Sequence, residues 1–129
     1  MPAQLIDISL PGTLQAAGQA RRALGACVTD PAMSDDGQLL LSEAVANAVE
    51  HTDSDRLRLV IRYEAETGTL MCALHDEGAD FRSPTASDAP HDTAESGRGL
   101  AITAALSTRW GFSTDGFGKW LWFSLSATT

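Results

Sequence analysis

The sequence predicts an α/β (α+β) fold, a two-layer sandwich in which a mixed, mostly antiparallel sheet carries three helices on one face. Three observations predict it. Leu57, Leu59, Ile61 and Tyr63 alternate with Arg58, Val60 and Arg62, the period of a strand with one buried face. A polar stretch, 64–68, then leads into a second apolar run, 69–76, so the two strands form a hairpin. The helical stretches do not separate the strands regularly, which disfavours a doubly wound parallel sheet.

Element by element, residues 5–10 read as a first strand, with Leu5, Ile6, Ile8 and Leu10 around Asp7 and Ser9, ended by Pro11-Gly12. Residues 13–28 read as a helix with Leu14, Ala17, Leu24 and Val28 on one side. Asp30-Pro31 breaks the chain. A second helix is expected to start near Ser34-Asp35-Asp36, whose side chains can cap its first turn, and to run to about His51 with Leu41, Val45 and Ala48 as its core stripe. After the hairpin, residues 82–96 turn polar and aperiodic, with Pro84, Pro90, Asp88, His91 and Asp92. A loop of this length reads as a lid, a binding loop or a disordered segment. A third helix is expected over 99–108, and closing strands at 110–113 and 119–126. There are no internal repeats.

The 129 residues fit one domain, 1–129, long enough to bury a core. No apolar run reaches the roughly 20 residues of a spanning helix, so no membrane contact is expected. The N-terminal Met1-Pro2-Ala3-Gln4-Leu5 lacks a basic segment followed by a long apolar one, and a cytoplasmic location is expected. The net charge of −8, from 17 acidic against 9 basic side chains, argues against nucleic acid as a direct partner. Cys27 and Cys72 have no metal-site spacing and read as small buried hydrophobes.

Three local patterns carry chemistry. Glu43, Asn47 and His51 recur at i, i+4 and i+8, so an acid, an amide and an imidazole share one side of the second helix. Such a row can supply a base, a metal ligand and a phosphate contact; by itself it is equally a solvated helix face. Asp76, at the end of an apolar strand and followed by Glu77-Gly78, puts a carboxylate at the sheet edge beside flexible backbone. It also reads as a plain acidic turn. Gly97-Arg98-Gly99 opens the third helix and lets backbone amides approach an anion at its positive end. Glycines that merely end a loop look the same.

In this order, Glu-x-x-x-Asn on a helix, Asp-x-Gly after a strand and Gly-x-Gly opening a helix resemble the motifs of the Bergerat-fold ATPases. That superfamily includes DNA gyrase, heat-shock chaperones, mismatch-repair proteins and histidine kinases. Residues 42–51, the Glu95-Ser96-Gly97-Arg98-Gly99-Leu100 run and the ending Gly118-Lys119-Trp120-Leu121-Trp122-Phe123 look like the compact anti-sigma-factor serine kinases of bacteria. The resemblance runs from Leu10 to Leu125. It implies ATP and Mg²⁺ as cofactors, with Asn47 as the metal ligand and Glu43 as the general base toward a partner's serine. It further implies Asp76 as the acceptor for the adenine amino group, Gly78 leaving room for the base, and Gly97 and Gly99 at the phosphates behind the lid 82–96. Arg98 would add charge at the phosphates or point to solvent.

Two positions depart from the family. Asp80 stands where the first motif has another glycine, and Trp120 where the last motif has a threonine that helps to hold adenine. The family's threonine meets the nucleotide, so Trp120 is expected to point into the adenine pocket and compete with the base; facing outward instead, it would be an exposed aromatic of the kind enriched at protein interfaces. The resemblance implies an anti-sigma regulator that sequesters a sigma factor and phosphorylates its antagonist protein as a serine/threonine kinase. The alternative, favoured by Trp120, is a non-catalytic member with a degenerate nucleotide site that sequesters its partner by binding alone. A detached histidine-kinase catalytic domain ranks behind both, because no phosphoacceptor helix hairpin is present. A homodimer is a candidate assembly, as the family often dimerises.

Overall fold

In the computed structural model, residues 3–51, 55–76, 107–114 and 116–127 are described. The order of elements is β1 (Gln4–Pro11), α1 (Gln15–Cys27), α2 (Pro31–His51), β2 (Arg56–Glu64), β3 (Thr69–Asp76), β4 (Arg109–Thr114) and β5 (Lys119–Ser126). The five strands form one sheet in the order β1-β2-β3-β5-β4, and every neighbouring pair is antiparallel. Both described helices lie on the same side, α1 over β1 and β2, and α2 over β3 and β5. The expected third helix, 99–108, and the lid 82–96 lie outside or almost wholly outside the described residues.

The alternation read in 57–63 is what builds the core. Leu57, Leu59, Ile61 and Tyr63 of β2 stand across from Asp76, Leu74, Cys72 and Leu70 of β3, which in turn stand across from Lys119, Leu121, Phe123 and Leu125 of β5. The apolar members of this lattice are buried. From above, α2 adds Leu40, Leu41, Ala44, Val45 and Ala48, and α1 adds Ala16, Ala20, Leu24 and Cys27. Of the expected side of α1, Leu24 and Val28 are buried and Ala17 packs partly buried against the core, while Ala16, Ala20 and Cys27 complete a buried set that the sequence pattern did not include. Leu14 is exposed, because it precedes the first helical residue and does not share the packed face.

The second helix also starts earlier than its cluster of capping residues suggests. Asp30 Oδ1 accepts hydrogen bonds from the backbone N–H groups of Ala32 (3.0 Å) and Met33 (3.3 Å), and the Asp30 carbonyl accepts the first helical bond from Ser34 N–H. Pro31 then occupies the first helical position, where its missing N–H costs nothing and its fixed φ suits the helix. Asp30-Pro31 is thus a start signal, and a cap of this type contributes about 1 kcal/mol.

Two contacts set the direction of α2. Thr29, just before it, shares a 3.0 Å hydrogen bond with the Tyr63 hydroxyl, and Gly37 lies against Leu24 and Leu70. The N-terminal end of α2 therefore sits over the Tyr63–Leu70 end of the sheet. Residues 37–48 advance about 17 Å along the helix and 70–76 about 20 Å along the strand. With Ala44, Val45 and Ala48 still buried on the sheet, the C-terminal half of α2 runs toward the Asp76 end.

Both cysteines are free and buried in this core, as expected from their spacing. Burial pushes both thiols above their ordinary range, Cys72 furthest, and the nearby Cys27 raises it further. The folded state holds the proton more tightly, so the associated stability is complete below the ordinary thiol range, about pH 8.5, and is lost as pH rises above it. The urea midpoint of the wild type should fall between neutral and alkaline pH, and Cys72→Ala should flatten that fall. Ellman's reagent should label Cys72 only in the denatured chain; rapid labelling under native conditions would contradict its burial.

Candidate functional site

At the closing end of β3 the sheet changes character. Asp76 continues the buried face of Leu70, Cys72 and Leu74, yet it is a carboxylate only 4% exposed. Its register neighbours are Leu57 on β2 and Lys119 on β5. An acid on the helix-covered side of a sheet is costly to bury without polar partners, and it is a marked departure from the apolar lattice beneath it. Asp76 does take part in polar interactions within the protein.

Gly118 closes in on the same point. A Cβ placed there would run into the backbone carbonyl oxygen of Asp76 and would come within 2.9 Å of the His75 ring. Only glycine lets the chain entering β5 approach the end of β3 so closely. Lys119 follows, on the same face as Asp76, with its ammonium 5.5 Å from the centre of the Phe112 ring. A carboxylate, a cation and an aromatic thus share the helix-side end of the sheet.

From α2, Glu43 and Asn47 are half-buried, flanked by the buried Ala44, Val45 and Ala48. Ser42 is tied to α1 by a 3.0 Å hydrogen bond from Arg21 Nη1 and donates to the Gln38 carbonyl. Burial of Leu41, Ala44, Val45 and Ala48 sets the rotation of α2 and leaves Glu43 and Asn47 at the margin of the packed face, on the half of the helix that runs toward Asp76. His51 ends α2. Gly78, Gly97, Arg98, Gly99 and Asp80 lie outside the described residues. Among the described residues, no group of three or more His, Cys, Asp or Glu side chains could hold a metal by itself.

Trp120 requires a correction. It pairs with His75, not Asp76, and by strand alternation it projects from the opposite face of the sheet. Its ring centre lies 4.6 Å from that of His75, and the Arg58 guanidinium stands 5.8 Å from the indole centre. The expected pocket-facing orientation is therefore overturned. The residues that the closing Gly-Lys-Trp run brings to Asp76 are Gly118 and Lys119, to which the sequence reading gave no role. Counting by twos along each strand could not find them until the register of β3 against β5 was known.

With this geometry in place, comparison with known proteins decides the family. The sequence profile of the histidine kinase-like ATPase domain matches residues 10–125. The chain belongs to the histidine kinase-like ATPase domain family. Among solved structures, it is similar to the histidine kinase domain of the blue-light activated histidine kinase from Erythrobacter litoralis EL346, at 18% identity and a TM-score of 0.55. That alignment covers 90% of this chain and 61% of the neighbour's, and at such identity it shows a shared fold. No curated protein matches. The two-layer sandwich expected from the sequence is thus the arrangement of a histidine kinase-like ATPase, and no described helix is long and apolar enough to cross a membrane.

Gly118→Ala should test how closely this end of the sheet is packed. The added methyl meets backbone rather than a movable side chain, so overpacking should cost about 1–3 kcal/mol. Thermal unfolding should show the loss. An unchanged melting temperature would mean that the β3–β5 end relaxes freely.

Proposed function

We propose that this histidine kinase-like ATPase domain is an ATP-binding anti-sigma regulator, which sequesters a sigma factor and phosphorylates a serine on the sigma factor's antagonist. The observation that carries the nucleotide reading is Asp76, a buried carboxylate at a strand end, in a cradle that a Cβ at position 118 would fill. An acceptor held away from water suits the exocyclic amino group of adenine, because an unmatched partner there is penalised. Asn47 would hold Mg²⁺ through its amide oxygen together with the substrate phosphates, as suits a cation that seldom relies on a protein cage. When bound, Mg²⁺ would neutralise charge on the phosphates.

In this reading Glu43 accepts the proton of the partner's serine hydroxyl while that oxygen attacks the γ-phosphorus. The bond between the γ-phosphorus and the bridging oxygen breaks, and ADP leaves with the electron pair. Most of the catalytic effect would come from positioning, which a helix braced by α1 through Arg21 and Ser42 can supply. The alternative reading, a non-catalytic member that sequesters its partner by binding alone, drew its support from a Trp120 filling the adenine pocket. With Trp120 on the far face of the sheet, that support is gone and the kinase reading is favoured.

Two substitutions separate binding from transfer. By calorimetry, Asp76→Asn should weaken Mg·ATP by about 1–3 kcal/mol, since an amide donor would face the adenine donor. Unchanged affinity would place the base elsewhere. Glu43→Ala should lower phosphoryl transfer to the antagonist by ~10²–10⁴-fold while nucleotide affinity survives. Equal loss of both would make Glu43 a structural residue or an indirect holder of the metal.

A further inference from the structure

The face of the sheet turned away from α1 and α2 carries a pattern that the nucleotide site does not use. Register places its side chains in aligned rows across all five strands. One row reads Ser9, Arg58, His75, Trp120 and Ser113; the next reads Asp7, Val60, Ala73, Trp122 and Gly111; a third reads Leu5, Arg62, Met71, Ser124 and Arg109. Trp122 lies so close over β4 that a Cβ on Gly111 would come within 2.8 Å of its ring. Trp120 is flanked by His75 and Arg58. Both indoles are therefore held in place yet remain partly exposed, with Met71, 44% exposed, on the neighbouring strand β3 and Leu5, 67% exposed, at the β1 edge of the same face.

Charge makes this face unlike the rest of the molecule. The chain as a whole is at −8, with only nine basic side chains. Four of those, Arg56, Arg58, Arg62 and Arg109, stand on this face by register, against two carboxylates, Asp7 and Glu64. Asp7 pairs with Arg58 through two hydrogen bonds, 2.9 and 2.6 Å, and Glu64 lies 3.6 Å from Arg62. A net positive island with held tryptophans at its centre thus sits on an acidic protein. Tryptophan, methionine and arginine are the side chains enriched where proteins meet, and preordered aromatics lose little entropy on contact.

We infer that this open sheet face docks a partner protein presenting acidic side chains around an apolar patch. The size is sufficient: five strands about 4.8 Å apart and about eight residues long span roughly 600 Å², so a full contact buries roughly 1,200 Å² counting both sides. Charge decides the occupant. A second copy seated face to face would set one net positive face against another, whereas an acidic rim would meet the arginines with opposite charge and leave the indoles to the apolar centre. A long polyanion such as nucleic acid would reach past this face into the −8 field of the whole chain, which a compact acidic rim does not. The inference does not rest on nucleotide binding, because the face lies across the sheet from Asp76.

The test uses the full chain without nucleotide and reads tryptophan emission. The probes are three tryptophan-free synthetic peptides of equal length and leucine content, one rich in Glu, one in Ser and one in Lys. The acidic peptide should shift the emission saturably, and added salt should weaken it. The double variant Arg62→Glu/Arg109→Glu should weaken it by roughly tenfold or more, with unchanged melting temperature and unchanged Mg·ATP affinity. Met71→Glu, at an exposed position, should act in the same direction. Equal binding of all three peptides, or no binding of the acidic one, would overturn the inference. So would tighter binding of a single-stranded oligothymidylate, or a self-association in sedimentation that Met71→Glu abolishes.

Discussion

The register of β3 is the constraint on which the rest depends. It is the central strand, hydrogen-bonded on both sides, and its alternate residues must face the helices for the core to close. Leu70, Cys72 and Leu74 meet that demand, and continuity of the backbone then forces Asp76 to the same side and His75 to the other. A slip of one residue against either neighbour would expose the leucines, bury Met71 and turn Asp76 out to the open face. The placement of the one buried carboxylate of the described core is thus tied to the strongest hydrophobic demand in the molecule.

The same constraint divides the sheet into two surfaces of different chemistry. The helix side holds the apolar lattice and ends in Asp76 and Lys119, with Gly118 allowing close approach. The far side holds arginines and indoles in cross-strand rows. Asp7 and Arg58 illustrate how that side is ordered: the guanidinium beside Asp7 holds its carboxyl below the usual carboxylate range, mainly through their hydrogen bonds. At such exposed positions the pair contributes little to stability, and its effect is to orient Arg58 next to Trp120.

Much of the architecture was legible in the chain. Strand β3 and strand β5 have the bounds that alternation and turn residues predict, 69–76 and 119–126. Asp-Pro before α2 is ambiguous in the sequence because the same dipeptide can end one element or begin the next, and which it does depends on whether the aspartate oxygen finds the amides two and three residues on. The stripe of α1 is legible only in part for a related reason. Its apolar residues are mostly alanines, which lie on several sides of the helix, and only packing against α2 and β1 adds Ala16, Ala20 and Cys27 to the expected Leu24 and Val28 and leaves Leu14 exposed.

By itself, the sequence determined the five strands, the presence of the two described helices, the face of β2 that is buried and the order of motifs that marks a histidine kinase-like ATPase, because each depends on spacing within a short stretch. Which residues of different strands meet was decided only by tertiary structure. Trp120 follows Gly118-Lys119 in the chain, and the motif alone assigns the pocket to Trp120 and nothing to the two residues before it. Pairing of β5 with β3 instead sets Lys119 level with Asp76 and Trp120 level with His75. Successive side chains of a strand point to opposite faces, so neighbours in sequence were assigned to two separate surfaces.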